Sequence, residues 1–429
     1  MDARVKPAHD TECVARALHR ISGVRMPSQA PSFFRWREIP GSIWMLGLVS
    51  LFMDISSEMI HALLPLYLVT VLGASTLTVG IIEGIAEAAA SITKIFSGAL
   101  SDYLGKRKWL AAFGYGLAAV TKPVFPLASS IGWLVAARFV DRVGKGIRGS
   151  PRDALVADLT PADLRGGAYG LRQSLDTIGA VLGPLLAVVF MAAFANDFTA
   201  VFWIAVIPAF ISVAIIVFGV HEPERPPNLR KVRAPLSRRE LARLSRVYWM
   251  IVGVAAIFTL ARFSEAFLLL RAQSVGLPLA VVPVVLVVMN IAYTLTAWPA
   301  GALSDRIGRY GVVTVGFALL VLADLALAIG DGIALVMVGV ALWGLHMGLT
   351  QGLLAALVAD TAPEELRGTA FGMFNLVSGV AMLAASVIAG ALWDSAGPAG
   401  TFLAGAAFTA VALAALPFVR WRAGRVKKT

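Results

Sequence analysis

Asp54, Glu58 and His61 stand at i, i+4 and i+7 within one apolar run, so they form a stripe down one helix face. Glu83 and Glu87 repeat the i, i+4 spacing in the next run, and Lys94 follows further along it. Acids four residues apart in a low-dielectric surrounding cannot all ionise cheaply, which is the chemistry a proton carrier needs. Arg138, Asp141 and Arg142 lie in a fourth apolar run, where a charge must find a carboxylate or water. The set therefore has three readings. The acids carry protons between two watery spaces, or they are static partners of Arg138, Arg142 and Lys94. In the third reading Asp54, Glu58, Glu87 and His61 hold a divalent ion, for which oxygen and imidazole donors suit. Later runs are sparser in polar groups: Arg262, Glu265, Asn290, Tyr293, His346, Gln351 and Asn375. Together with His61 and Lys94 these are the candidates for lining a solute cavity, or else for bonding across helices. Asp324 is a further lone acid, Arg172 and Asp176 form an i, i+4 pair, and Lys122 before Pro123 has no evident role.

The surroundings of these residues decide what class of protein they serve. The chain has 429 residues, 58% of them hydrophobic and 15% charged, with a mean hydropathy of +0.78. Soluble domains carry about 25% charge, so an ordinary soluble enzyme, a disordered chain and a nucleic-acid binder are excluded. Twelve apolar runs of spanning length lie between residues 43 and 419; a span needs about 20 residues to cross ~30 Å of hydrocarbon. The expected organisation is a polar tail over 1–41, six spans over 42–220, a basic linker over 221–246, six spans over 247–420 and a tail over 421–429. With both ends on the inner side, the outer connections hold a single Lys or Arg, Arg271, of the 37 in the chain. The positive-inside rule thus places both termini in the cytoplasm of a multi-pass plasma (inner) membrane protein. The formal charge of +11 then faces anionic lipid rather than nucleic acid. The one cysteine, Cys13, allows neither an intrachain disulfide nor a cysteine-based metal cluster.

The two sets of six spans echo each other. Residues 98–102 read GALSD, as do 301–305, and 154–170 match 356–372 at eleven of seventeen positions. The offsets are 203 and 202, so the halves are duplicated. The first copy continues through Gly98, Asp102, Gly105, Lys106 and Arg107, the second through Gly301, Asp305, Arg306, Gly308 and Arg309. An acid at a helix end, a glycine turn and cations make a compact corner that can pair with a neighbouring helix end. If it pairs in only one arrangement of the halves, it biases a two-state equilibrium. At these residues the chain resembles the major facilitator superfamily, whose loop reads G-x-x-x-D-(R/K)-x-G-(R/K)-(R/K). The first copy departs at Tyr103, and the second has Tyr310 after Arg309. Gly179, Gly183 and Pro184 in the fifth span resemble that family's G-x-x-x-G-P pattern of antiporters. Arg138 could fill the arginine of its proton-coupled members, but Asp141-Arg142 stands where they have Gln-Gly.

The resemblance implies an all-α fold of two pseudo-symmetric six-helix bundles around a central cavity. It implies secondary transport by alternating access, read here as proton-coupled export of a small organic solute. The chemistry of the buried charges themselves, not the resemblance, makes Asp54, Glu58, Glu83, Glu87, Arg138, Asp141 and Arg142 the candidates for the coupling role. Transport of an anion, a metal ion or a chelate is the alternative, and a non-transporting receptor or scaffold is the alternative of another class. Residues 144–149, GKGIRG, lack the Walker spacing, and no H-E-x-x-H site occurs. No enzyme, no cofactor and no resident metal are expected. The expected partners are the solute, H+ and membrane lipid around a monomer.

Overall fold

The computed structural model describes residues 38–104, 106–161, 164–222, 241–362 and 366–426. The N-terminal tail, most of the linker and the last three residues lie outside the described residues. The first half comprises α1 (Gly41–Thr70), α2 (Thr76–Leu104), α3 (Arg107–Thr121), the short α4 (Val124–Leu127), α5 (Ile131–Leu159), α6 (Arg165–Ala193) and α7 (Phe198–Ala214). The second comprises α8 (Arg246–Ala261), α9 (Ala266–Ser274), α10 (Val284–Ile307), α11 (Arg309–Ile329), α12 (Ile333–Thr361) and α13 (Arg367–Val426). The protein is all-α, as expected.

Among the described residues, nine helical stretches are long and apolar enough to cross a membrane. The difference from the twelve runs of the sequence has two physical causes. Helices α2 and α5 have the length, 29 residues each, but carry several charges. The stretch Thr369–Arg422, 54 residues long, would extend ~80 Å as one rod. It is two helices joined at Gly397, whose φ of 74° breaks the helical path and suits only glycine readily.

Polar residues in the short connections serve as caps. The Asp197 carboxylate accepts from the amides of Thr199 (2.9 Å) and Ala200 (3.2 Å) at the start of α7. Ser245 does the same for Tyr248 in α8. Glu222, at the start of the basic linker, accepts from the Arg107 and Lys108 amides at 2.7 and 3.1 Å and so caps α3.

Within the first half, α1 packs on α6 and α7, and α5 on α2 and α3; within the second, α12 packs on α10 and α11, and α13 on α8 and α11. The halves meet where α2 crosses α13 and where α6 crosses α10. One apolar cluster runs from Leu63, Leu66 and Val79 of the first half through Phe267 and Leu286 into the second. Those first-half residues sit at the end remote from the repeated 98–107 motif. At the motif end, Ile43, Leu46 and Tyr115 form a separate cluster confined to the first half. The halves are therefore sealed together at the far end.

Candidate functional site

Glycines in α6 bring α1 close enough to position its acids. A Cβ at Gly179 would lie 2.7 Å from the Leu51 carbonyl oxygen and 3.0 Å from the Asp54 Cβ. At Gly183 it would lie 2.7 Å from the Glu58 Cβ. The Gly179–Gly183–Pro184 segment thus seats the turns of α1 that carry Asp54 and Glu58. Gly183→Ala is expected to destabilise this contact by about 1–3 kcal/mol, read as a lower unfolding free energy. Gly170→Ala, in the same helix with nothing within 4 Å, is expected to be neutral or slightly stabilising.

The acids then separate into two environments. Glu83 is buried and accepts from Arg138 at 2.8 Å, both side chains being 1% exposed. Asp141 accepts from Lys122 at 2.9 Å in an equally dry setting. Lys122 also donates to the Ser57 hydroxyl at 3.0 Å, so the lysine that the sequence left without a role neutralises Asp141 and ties α1 to α3. In contrast, the side chains of Asp54, Glu58 and Glu87 are 19%, 17% and 34% exposed, which puts these three on a wall that water can reach. Arg142 pairs with Glu87 at 3.2 Å and Arg148 lies 3.9 Å from Asp54. His61 bridges the two environments, with Nδ1 3.3 Å from Glu58 and Nε2 3.6 Å from Glu83. Arg172 and Asp176 are 3.6 Å apart, and Asp176 is shared with Arg152.

The wall belongs to two adjoining cavities between the halves. One, of about 400 Å³, is lined by Glu58, His61, Glu87, Arg142, Lys145, Arg262, Glu265, Asn290 and Gln351, with Phe263, Trp343 and Met382 as its apolar side. The other, of about 410 Å³, shares Glu58, Glu87, Lys145, Asn290 and Gln351 and extends past Asp54, Tyr293 and Lys94 to Arg152 and Gln173. Asn290 also donates to the Ala180 carbonyl at 3.2 Å across the two halves. His346 is fully buried against Phe258 and Trp343, and neither it nor Asn375 is on the lining of either cavity. Asp324 is buried too, against Gly405. Among the described residues no group of three His, Cys, Asp or Glu is placed to hold a metal.

Helix α8 stops at Ala261 and α9 begins at Ala266. The unwound Arg262–Glu265 between them puts backbone and two charged side chains on the cavity wall. Sequence reasoning found the two residues but expected one continuous span. No proline or glycine marks the break.

The repeated motif is placed symmetrically. Arg107 pairs with Asp158 at 3.0 Å in the first half, and Arg309 pairs with Asp360 in the second. Both acids end the duplicated ALVAD segment, so in each half the start of the helix that follows the motif is tied to the end of the next spanning helix, α3 to α5 and α11 to α12. Gly98 lies against Ser150, Lys106 is exposed and Gly308 has a φ of 81°. Gly105 and the side-chain environments of Asp102, Gly301, Asp305 and Arg306 lie outside the described residues.

The Major Facilitator Superfamily pattern matches residues 46–288 and 266–429. The chain belongs to this superfamily. An uncharacterised MFS-type transporter of Methanocaldococcus jannaschii is 34% identical over 391 residues, covering 89% of this chain and 96% of that one. In fold the superfamily member resembles the nucleoside transporter NupG (TM-score 0.69, 14% identity, 89% of this chain and 98% of that one). It also resembles a bacterial homologue of the human lysosomal transporter Spinster in an inward-facing, occupied conformation (TM-score 0.70, 15% identity, 88% and 96%). At such identities the likeness is one of fold. The superfamily makes the chain a multi-pass membrane transporter with a small-molecule substrate.

Proposed function

We propose that this transporter is a twelve-span proton-coupled exporter of a small organic solute, working by alternating access with both termini cytoplasmic. The observation that carries the reading is the position of Asp54, Glu58 and Glu87 on the wall between the halves, beside the cations Arg142 and Arg148. A carboxylate that water reaches from one side of the membrane at a time can take up and release H+ as the halves rock. Arg142 and Arg148 hold the acids in place when charged, and an incoming solute competes for the same partners. Glu83, Arg138 and Asp141, named with them from the sequence, act in this reading as the dry frame that fixes α2, α3 and α5 against one another. The Gly179–Gly183–Pro184 pattern favours the export direction, and the basic motif end favours a cytoplasmic placement.

The test is proteoliposomes with an imposed pH gradient and a trapped pH dye, challenged with a panel of small solutes. Solute-dependent H+ movement is expected for the wild type. The Asp54→Asn, Glu58→Gln double variant is expected to lose at least 90% of it while melting as the wild type does, by analogy with the ~10²–10⁴-fold worth of a positioned proton-transfer group. Full movement in that variant removes both residues from coupling. A reporter in 221–246 is expected to read cytoplasmic.

A further inference from the structure

The cations on the cavity wall are not equally provided for. Arg142, Arg148 and Arg152 each have a carboxylate, Glu87, Asp54 and Asp176. Arg262, Lys145 and Lys94 have no hydrogen-bonded or ion-paired side chain among the described residues. Lys145 comes from α5 in the first half and Arg262 from the break in the second, and both line the same cavity. The Arg262 Nε is buried with no hydrogen-bond acceptor, a state that costs free energy until an acceptor arrives. Glu265, three residues on, attracts Arg262 but forms no ion pair with it among the described residues, and it also lies within electrostatic reach of His61, Glu58 and Glu87 across the cavity. Beside Arg262 the wall turns apolar, with Phe263, Trp343 and Met382.

We propose that the cavity takes an amphipathic organic monoanion, its carboxylate bridging Arg262 and Lys145 and its apolar body lying against Phe263, Trp343 and Met382. This rests on the transport reading. A planar guanidinium matches a carboxylate in a bidentate pair, and an ammonium adds a second point charge from the other half. Because the two cations belong to different halves, the ligand itself completes a link across the cavity. Glu58, Glu87 and Glu265 on the same cavity repel a second negative charge, so a dianion is disfavoured. A guanidinium at the C-terminal end of α8 also sits well in the helix dipole, so the test must separate binding from folding.

The probes are phenylacetate, benzoate and indole-3-acetate, with neutral phenylacetamide and cationic phenethylamine as counterparts. They are applied to the purified full chain, with thermal stabilisation and tryptophan fluorescence as readouts. At least one carboxylate is expected to raise the melting temperature at millimolar concentration, and phenylacetamide and phenethylamine are expected to leave it unchanged. Arg262→Gln is expected to weaken carboxylate binding about tenfold or more, with an unliganded melting temperature within a degree or two of the wild type, and Arg262→Lys to restore part of it. If Arg262→Gln does not fold, Lys145→Gln, at an exposed position, carries the same expectation. Stabilisation by phenethylamine in place of the acids overturns the proposal, as do equal effects of phenylacetate and phenylacetamide, or no response to any carboxylate. Carboxylate binding without H+ movement in proteoliposomes overturns proton coupling and leaves this inference standing. H+ movement driven only by amines does the reverse.

Discussion

Arg138→Met is expected to lower the unfolding free energy by about 3–5 kcal/mol. It leaves Glu83 as a charge without its guanidinium in a site where both side chains are 1% exposed. The Glu83→Leu, Arg138→Leu double variant is expected to return to within about 1–2 kcal/mol of the wild type, because an apolar pair of similar volume carries no desolvation cost. Equilibrium unfolding in mixed micelles measures both. The same double variant is expected to keep solute-driven H+ movement, since the acids of the coupling reading, Asp54, Glu58 and Glu87, are untouched. Loss of H+ movement in a folded double variant would instead place Glu83 on the coupling path. A double variant as unstable as the single would mean that Arg138 stabilises the bundle through something other than its charge pair.

The contrast between Glu83 and Glu87 marks the limit of what could be read from the chain. Both lie on α2, one turn apart, and the i, i+4 spacing treats them alike. Which one is dry depends on how α2 is rotated against α5, so that Glu83 meets Arg138 and Glu87 meets Arg142. That rotation is a tertiary result. Helix positions were legible because a span must supply an apolar run long enough for the bilayer and must satisfy its own backbone. The duplicated halves were legible because ALVAD and GALSD recur at nearly constant offset, and the Arg107–Asp158 and Arg309–Asp360 pairs give that recurrence a physical meaning. Lys122 was illegible because its partner Asp141 comes from another helix. The α8–α9 break was illegible because Arg262, Phe263, Ser264 and Glu265 include no residue that forbids a helix. The unwinding is held by contacts elsewhere, such as the Ser264 amide to the Ser386 hydroxyl at 3.2 Å.

Gly80→Ala is expected to shift the balance between the two arrangements of the halves. Gly80 lies where α2 crosses α13, and a Cβ there would overlap the Ser386 carbonyl oxygen. Gly84 faces Leu383 and Gly390 faces Thr76 along the same crossing, so the two helices meet almost backbone to backbone. Asp394 completes the seal from the second half. Its carboxylate accepts from the Thr76 and Leu77 amides at 3.1 and 3.0 Å, and from the Thr76 hydroxyl, and so caps a helix of the first half. In the alternating-access reading proposed above, these contacts are lost when the far ends part, so each stabilises the arrangement described here over the other. Overpacking at Gly80 should cost that arrangement about 1–3 kcal/mol, a ~5- to 150-fold change in the ratio. Removing the cap with Asp394→Ala should cost about 1 kcal/mol. Spin labels at Val71 and Ala396, both exposed at the far end, measure the separation in a Cys13→Ser background. A population at longer distance is expected to grow in both variants, more in Gly80→Ala, and to stay unchanged in Gly116→Ala, where a Cβ meets nothing within 4 Å. An unchanged distance distribution in a well-folded Gly80→Ala protein would show that the crossing of α2 and α13 does not hold the far end shut.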